Sequence, residues 1–312
     1  MAPNHTHLLI IDPQNDFCDL PPAYCSGLPH GTRPALPVAG AHADMQRIAA
    51  LIDAAGAAID EITVTLDSHQ HIDIAHPTFW QQGDGAAVAP FTPVTAADVR
   101  AGRYAPRAGA NTARVIAYLD ALEAAGRYQH MVWPIHCEIG AWGHNVHHDL
   151  RRAYNGWEER TARVVQKITK GENPWTEHYS AIMAEVPDPE DAATRFNHDF
   201  INQLKQADHI VIAGEAGSHC VKATTEHIVQ GLDGDGRKLT LVTDCISPVE
   251  GFELQYQAFL RAMQGCGARL ATADSVAAHL QMGKWAIEHL NASTTKARHA
   301  NAPAHRQESA GE

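Results

Sequence analysis

Residues 209–232 read HIVIAGEAGSHCVKATTEHIVQGL, an apolar run that breaks at a turn of small residues and continues as an amphipathic stretch. A run of Ile, Val and Ala without polar alternation suits a strand covered on both faces, and the period after Cys220 suits a helix. The stretch therefore predicts a strand, a tight turn and a helix in succession. Similar β-rich runs recur as HLLIID at 7–12, EITVTLD at 61–67, HMVWPIHC at 130–137, ARVVQKI at 162–168, KLTLVTD at 238–244 and ARLATA at 268–273. Amphipathic segments such as 42–56, 112–126 and 254–267 lie between them. This alternation predicts an α/β fold, a three-layer αβα sandwich around a mostly parallel central sheet.

The 312 residues carry 45% apolar side chains, enough for one large α/β core. The reading is a single domain over 1–290, with insertions at about 19–35 and 77–130, both rich in Gly, Pro or Ala. The stretch 291–312 has no apolar period and is expected to be a disordered tail. A formal charge of -12, with no block of Lys and Arg, excludes nucleic acid and anionic membranes as partners and leaves a small molecule. The N-terminus has no basic region and its apolar run is short, so the expected location is cytoplasmic and no membrane span is expected. Six cysteines without CxxC spacing suit reduced thiols.

Ligands in open parallel sheets bind beyond the carboxyl ends of the strands. Read that way, the strand ends offer Asp12, Asp67 with His69, His136, Lys170 and Cys220 to one edge. Asp67, His69, His76 and His136 have the donor chemistry for zinc, iron or manganese. In a chain with 21 histidines, the same residues can equally be solvated loop positions. His71 and Asp73 lie between the candidate ligands and read as outer contacts or solvated groups. Cys220 opens a helix, where the dipole and free N–H groups favour a thiolate and could form an oxyanion hole. A small buried thiol is the competing reading, and Cys137, Cys245 and Cys266 are taken that way. Asp12 as proton acceptor and Lys170 as cation could serve Cys220; a turn cap and a surface lysine are their plainer alternatives.

Together these motifs resemble the isochorismatase-like cysteine hydrolases, and among them the metal-dependent nicotinamidases, over roughly residues 6–285. DPQNDF is similar to the family's first-strand motif, which implies Asp12 as catalytic acid and base. KGENPWTEHYSA resembles its Lys-Gly segment, which implies Lys170 rather than Lys167. GEAGSHCV resembles its nucleophile turn, which implies Cys220 as nucleophile, the N–H groups of Ala216 and Cys220 as oxyanion hole, and a cis bond at Glu215–Ala216. DSH, HPTF and WPIHC resemble the metal segment and imply Asp67, His69, His76 and His136 around one divalent ion, zinc foremost, with iron or manganese as alternatives. Phe17, Trp133 and Tyr179 match aromatic positions that hold the substrate ring. The resemblance implies hydrolysis of nicotinamide to nicotinate and ammonia through a Cys thioester, a role in pyridine-nucleotide salvage, and room for a homo-oligomer. An alternative is another small amide, carbamoyl or ureido substrate on the same fold. Ser68 replaces the family's usual aromatic, His76 lies one residue further from His69 than the pattern, Glu215 replaces an apolar residue, and 77–130 is long.

Overall fold

The computed structural model describes residues 5–107 and 111–282, so the tail expected from 291 lies outside the described residues. In chain order the strands are β1 (Thr6–Ile11), β2 (Glu61–Asp67), β3 (Trp80–Gln82), β4 (Thr92–Pro93), β5 (Tyr104–Pro106), β6 (Met131–Val132), β7 (Gln166–Lys170), β8 (His209–Gly214), β9 (Leu239–Val242) and β10 (Arg269–Ala271). The helices are α1 (Ala41–Ala55), α2 (Ala96–Arg100), α3 (Thr112–Ala125), α4 (His148–Thr161), α5 (His198–Gln206), α6 (Cys220–Gly231), α7 (Glu253–Gly265) and α8 (Ala273–Met282).

Six strands pair in parallel in the order β10, β9, β8, β1, β2, β7. β1 and β8 are buried along their whole length, as their unbroken apolar text requires. Successive side chains of β1 enter opposite layers. Leu8 and Ile10 pack with Met45, Ile48 and Ile52 of α1 and Trp157 of α4, whereas Leu9 and Ile11 pack with Phe200 of α5, Ile228 of α6 and Phe259 of α7. Each such buried Leu or Ile contributes about 1.5–3 kcal/mol relative to exposure. These two layers are the αβα sandwich expected from the sequence.

Two expected strands come out differently. The run 130–137 does not join the central sheet; only Met131–Val132 is extended, and it pairs antiparallel with Thr92–Pro93. Pro134 has no N–H for a ladder and biases the residue before it, so the chain turns away and His136 arrives from a loop rather than a strand end. The run 162–168 begins later, at Gln166, because α4 continues to Thr161 and closes on Ala162 in a left-handed conformation. That shift makes Lys170 the last strand residue.

Within 77–130 the chain forms its own apolar cluster, in which Phe79, Trp80, Val94 and Val99 meet Val115, Leu119 and Leu122 of α3. The β3–β5 and β4–β6 pairs form two small antiparallel sheets of this unit, separate from the central sheet. Among the described residues no helix is long and apolar enough to cross a membrane.

Candidate active site

The order of strands around β1 sets the site. β1 lies between β2 and β8, so the connections after these strands diverge to opposite faces and leave a crevice at their carboxyl ends. Asp12 leaves β1 with φ 43°, Asp67 ends β2 opposite Lys170 of β7, and Cys220 opens α6 after the turn that follows β8. Gly214 lets β8 approach β1 closely: a Cβ there would stand 2.1 Å from the Ile11 carbonyl oxygen. Gly171, at φ +83°, lets the chain turn beside Asp67 directly after Lys170.

Lys170 is the electrostatic centre. Its Nζ lies 3.0 Å from Asp12 Oδ2, 2.9 Å from Asp67 Oδ1 and 3.6 Å from Cys220 Sγ, and all four side chains are buried. Burial alone would pull the ammonium's pKa down, but Asp12 and Asp67 outweigh it and hold the group charged, well above its ordinary value. Burial pushes the Asp12 carboxyl up, with Lys170 opposing. Burial likewise pushes the Cys220 thiol well up against the pull of Lys170, so the resting sulfur keeps its proton. Thr65 Oγ1 donates to Asp12 Oδ1 at 2.5 Å and accepts from Asp12 N–H at 3.0 Å, which fixes the carboxylate.

His69, His76 and His136 form a buried cluster whose candidate ligand nitrogens all lie within 4.8 Å of one another. Asp67 Oδ2 lies 3.0 Å from His69 Nε2 and 3.3 Å from His136 Nε2, so the carboxylate reaches two of the three rings. Asp73 Oδ2 stands 3.1 Å from His69 Nδ1, and the Pro134 carbonyl 2.8 Å from His136 Nδ1. These outer acceptors leave Nε2 of both rings for ligation, the usual support of a metal-binding histidine. His71 does not join: its side chain is 60% exposed and pairs with Glu138. The donor set of three imidazoles and a carboxylate therefore fits a divalent ion.

Phe17, Trp133 and Tyr179 surround the thiol together with Glu177, His219 and Ala216, and enclose a cavity of about 20 Å³, space for roughly one water. Trp133 Nε1 donates to Tyr179 Oη at 3.1 Å, and Phe17 meets the His136 ring edge-on. A larger groove of about 810 Å³, lined by Tyr24, Trp142 and Lys167 among others, contains none of the reactive groups. In the turn itself, Gly217, His219 and Val221 use their N–H groups on backbone carbonyls, while among the described residues no such bond uses those of Ala216 or Cys220. The peptide bond Glu215–Ala216 is cis.

Several residues of the site escape a reading by motif. Gln14 clamps Asp67 from β1, donating to its carbonyl at 2.7 Å and accepting its N–H at 2.8 Å. Asp16 accepts the Cys137 N–H at 2.7 Å and so holds the loop that delivers His136. Both lie in DPQNDF, and their place in that motif was the available signal. Glu177 likewise lies in a quoted motif, KGENPWTEHYSA: it is buried beside the cavity, its Oε2 has no partner among the described residues, and burial raises its pKa to about 7. His219 is lowered to about 3 by burial and then by Lys222, and stays neutral among Tyr128, Trp133, Tyr179 and Phe252.

No protein-family model matches the chain, and no curated protein matches it by sequence. Solved structures do. A nicotinamidase/pyrazinamidase of Acinetobacter baumanii superposes with TM-score 0.56 at 19% identity, covering 88% of this chain and 100% of that one. A yeast nicotinamidase bound to the inhibitor nicotinaldehyde gives 0.56 at 19%, covering 86% and 99%. A pyrazinamidase of Pyrococcus horikoshii in complex with zinc gives 0.50 at 17%, covering 86% and 99%. At these identities the likeness is one of fold alone, and it extends over nearly the whole of each neighbour: the chain has the αβα fold seen in these nicotinamidase and pyrazinamidase structures.

Proposed function

We propose that the protein is a metal-dependent cysteine amidohydrolase that converts nicotinamide to nicotinate and ammonia. The observation that carries this reading is the buried Lys170 ammonium, which holds a carboxylate and a thiol at one point beside an aromatic cavity. Because the resting thiol is protonated, attack needs a base. Asp12 takes the Sγ–H proton as Cys220 attacks the amide carbon, and Lys170 stabilises the charge on sulfur. The N–H groups of Ala216 and Cys220 receive the oxyanion. Asp12 then returns the proton to the departing nitrogen, the C–N bond breaks, and ammonia leaves a Cys220 thioester. Water attacks that thioester as Asp12 accepts its proton; the carboxylic acid is released and the sulfur regains its hydrogen. Phe17, Trp133 and Tyr179 hold the ring. Asp67, His69, His76 and His136 would hold the divalent ion, which supplies a Lewis acid able to bind a ring nitrogen and orient the carboxamide.

Ammonia release from nicotinamide tests the reading. Turnover at kcat/KM of about 10⁴ M⁻¹s⁻¹ or better, the low end for ordinary enzymes, supports it; none at all from metal-loaded protein overturns nicotinamide as substrate. Removal of the metal by chelator is expected to abolish most of that rate with unchanged far-UV circular dichroism. Full activity in protein shown metal-free by elemental analysis would take the ion out of the reaction.

One observation favours a second substrate class. The unpartnered Oε2 of Glu177 beside the cavity would accept a further N–H, which a carbamoyl or ureido compound offers. Faster ammonia release from such a compound than from nicotinamide would decide for it.

A further inference from the structure

Behind the nucleophile turn lies a buried acidic cluster that takes no part in the steps above. Glu215, the residue after β8, is fully buried; its Oε2 accepts the Ser247 N–H at 3.2 Å, and among the described residues its Oε1 has no donor. Its carboxyl meets that of Asp44 on α1, which is already served by Arg47 on Oδ1 and by Ser247 Oγ on Oδ2 at 2.6 Å. Arg47 spends its other contact on the Asp244 carbonyl. The remaining titratable neighbours of Glu215 are Asp19, Cys18, Cys245 and Tyr256, none of them a cation. Two buried carboxyls in contact need a proton between them, and Glu215 carries it. Burial and then Asp44 push its pKa well above the carboxylate range. Its O–H is the donor that Asp44 can accept.

The contacts continue into the turn. Ser247, held through its N–H by Glu215 and through its hydroxyl by Asp44, accepts the Gly217 N–H on its carbonyl at 2.8 Å. Two residues on, Val249 donates its N–H to Ser218 Oγ at 3.1 Å and lines the cavity. We propose that Glu215 is a positioning residue for the hydrolysis: through Asp44 and Ser247 it locks the turn 215–220, and with it the Ala216 and Cys220 N–H groups, towards the scissile carbonyl. An ionised Glu215 would repel Asp44 and set a negative charge one residue from Ala216, against the oxyanion. The proposal rests on the amidohydrolase reading.

Two variants and the wild-type protein test it. Glu215→Gln keeps a donor for Asp44 and an acceptor for Ser247, and is expected to retain at least about a third of kcat. Glu215→Ala breaks the lock and is expected to lose about tenfold to a hundredfold in kcat with KM nearly unchanged. Wild-type protein at neutral pH should show the infrared carbonyl band of a protonated carboxyl that Glu215→Gln removes. The fall of wild-type kcat at alkaline pH, as Glu215 ionises, should move upward or vanish in Glu215→Gln, a comparison that stands even where Glu215→Ala does not fold. Wild-type kcat in Glu215→Ala, equal damage in Glu215→Gln, or absence of the band would overturn the proposal. Should wild type release no ammonia, the amidase reading fails by itself, and alkylation of Cys220 by iodoacetamide takes over as readout. Alkylation about tenfold slower in Glu215→Ala sustains the lock, and an equal rate overturns it.

Discussion

Cys220→Ala is expected to abolish ammonia release, with a loss of about 10⁴-fold or more, because among the described residues that line the cavity Cys220 is the one thiol. The substitution removes a single sulfur atom that meets the Lys170 ammonium at 3.6 Å and the Asp12 carboxyl. Its cost in stability is accordingly small, about 1 kcal/mol, the order expected for a small buried group. Asp12, Lys170 and the histidine cluster keep their mutual contacts, so metal content and circular dichroism should match wild type. Rate measurement on the metal-loaded variant, beside a thermal melt, separates loss of the nucleophile from loss of the fold. Turnover above a few per cent of wild type would remove Cys220 from the chemistry and leave Asp12 with an activated water as the alternative.

Lys170→Met should fail differently, by losing stability as well as rate. The ammonium sits between the carboxylates of Asp12 and Asp67, which end or follow neighbouring strands and are both almost wholly out of solvent. Removing one partner of a buried ionic group typically costs about 3–5 kcal/mol, because the remaining charges have neither water nor counter-ion. Urea denaturation at neutral pH should show a loss of that order, together with a rate lowered about 10²–10⁴-fold. The pH dependence follows from Asp12, whose folded pKa burial already raises and Lys170 opposes. Without Lys170 the folded value rises further above the unfolded value of about 3.9, so the folded state binds the proton more tightly than the unfolded chain does. The part of the variant's deficit that comes from Asp12 is then absent below about pH 4 and grows as pH rises through the range between the two values, whereas the part that comes from Asp67, whose pKa Lys170 helps to hold down, is lost only at more acid pH. A stability difference that is the same at acid and neutral pH would mean that lost packing of the lysine stem, and not its charge, explains the effect.

How far the sequence carries depends on which physics each residue answers to. The strands at 7–12 and 209–215 could be read because burial on both faces leaves an apolar run, the strand at 61–67 because its β-branched Ile, Thr and Val favour extended backbone, and the helices between them because one face repeats at helical spacing. Local text misleads where a single residue breaks the ladder: WPIH is apolar enough for a strand, but Pro134 withholds an N–H and the segment becomes the loop that brings His136 to the other histidines. Gln14 and Asp16 lie in a quoted motif, yet their work is structural, tying Asp67 and the Cys137 loop to β1.

The order of apolar and polar residues alone determined the αβα layering and the parallel sheet, since hydrophobic period is local and survives without knowledge of neighbours. It also placed Asp12, Asp67, Lys170 and Cys220 at connections where such a fold presents ligand-binding groups. Only the tertiary structure decided which of His71 and His76 joins the cluster, that Glu177 borders the cavity with an oxygen unpaired among the described residues, and that Glu215 is buried with Asp44 around Ser247. Those outcomes depend on desolvation and on charges supplied by residues far apart in the chain, such as Asp44 and Glu215. The sum of such through-space terms has no signature in the text of either segment.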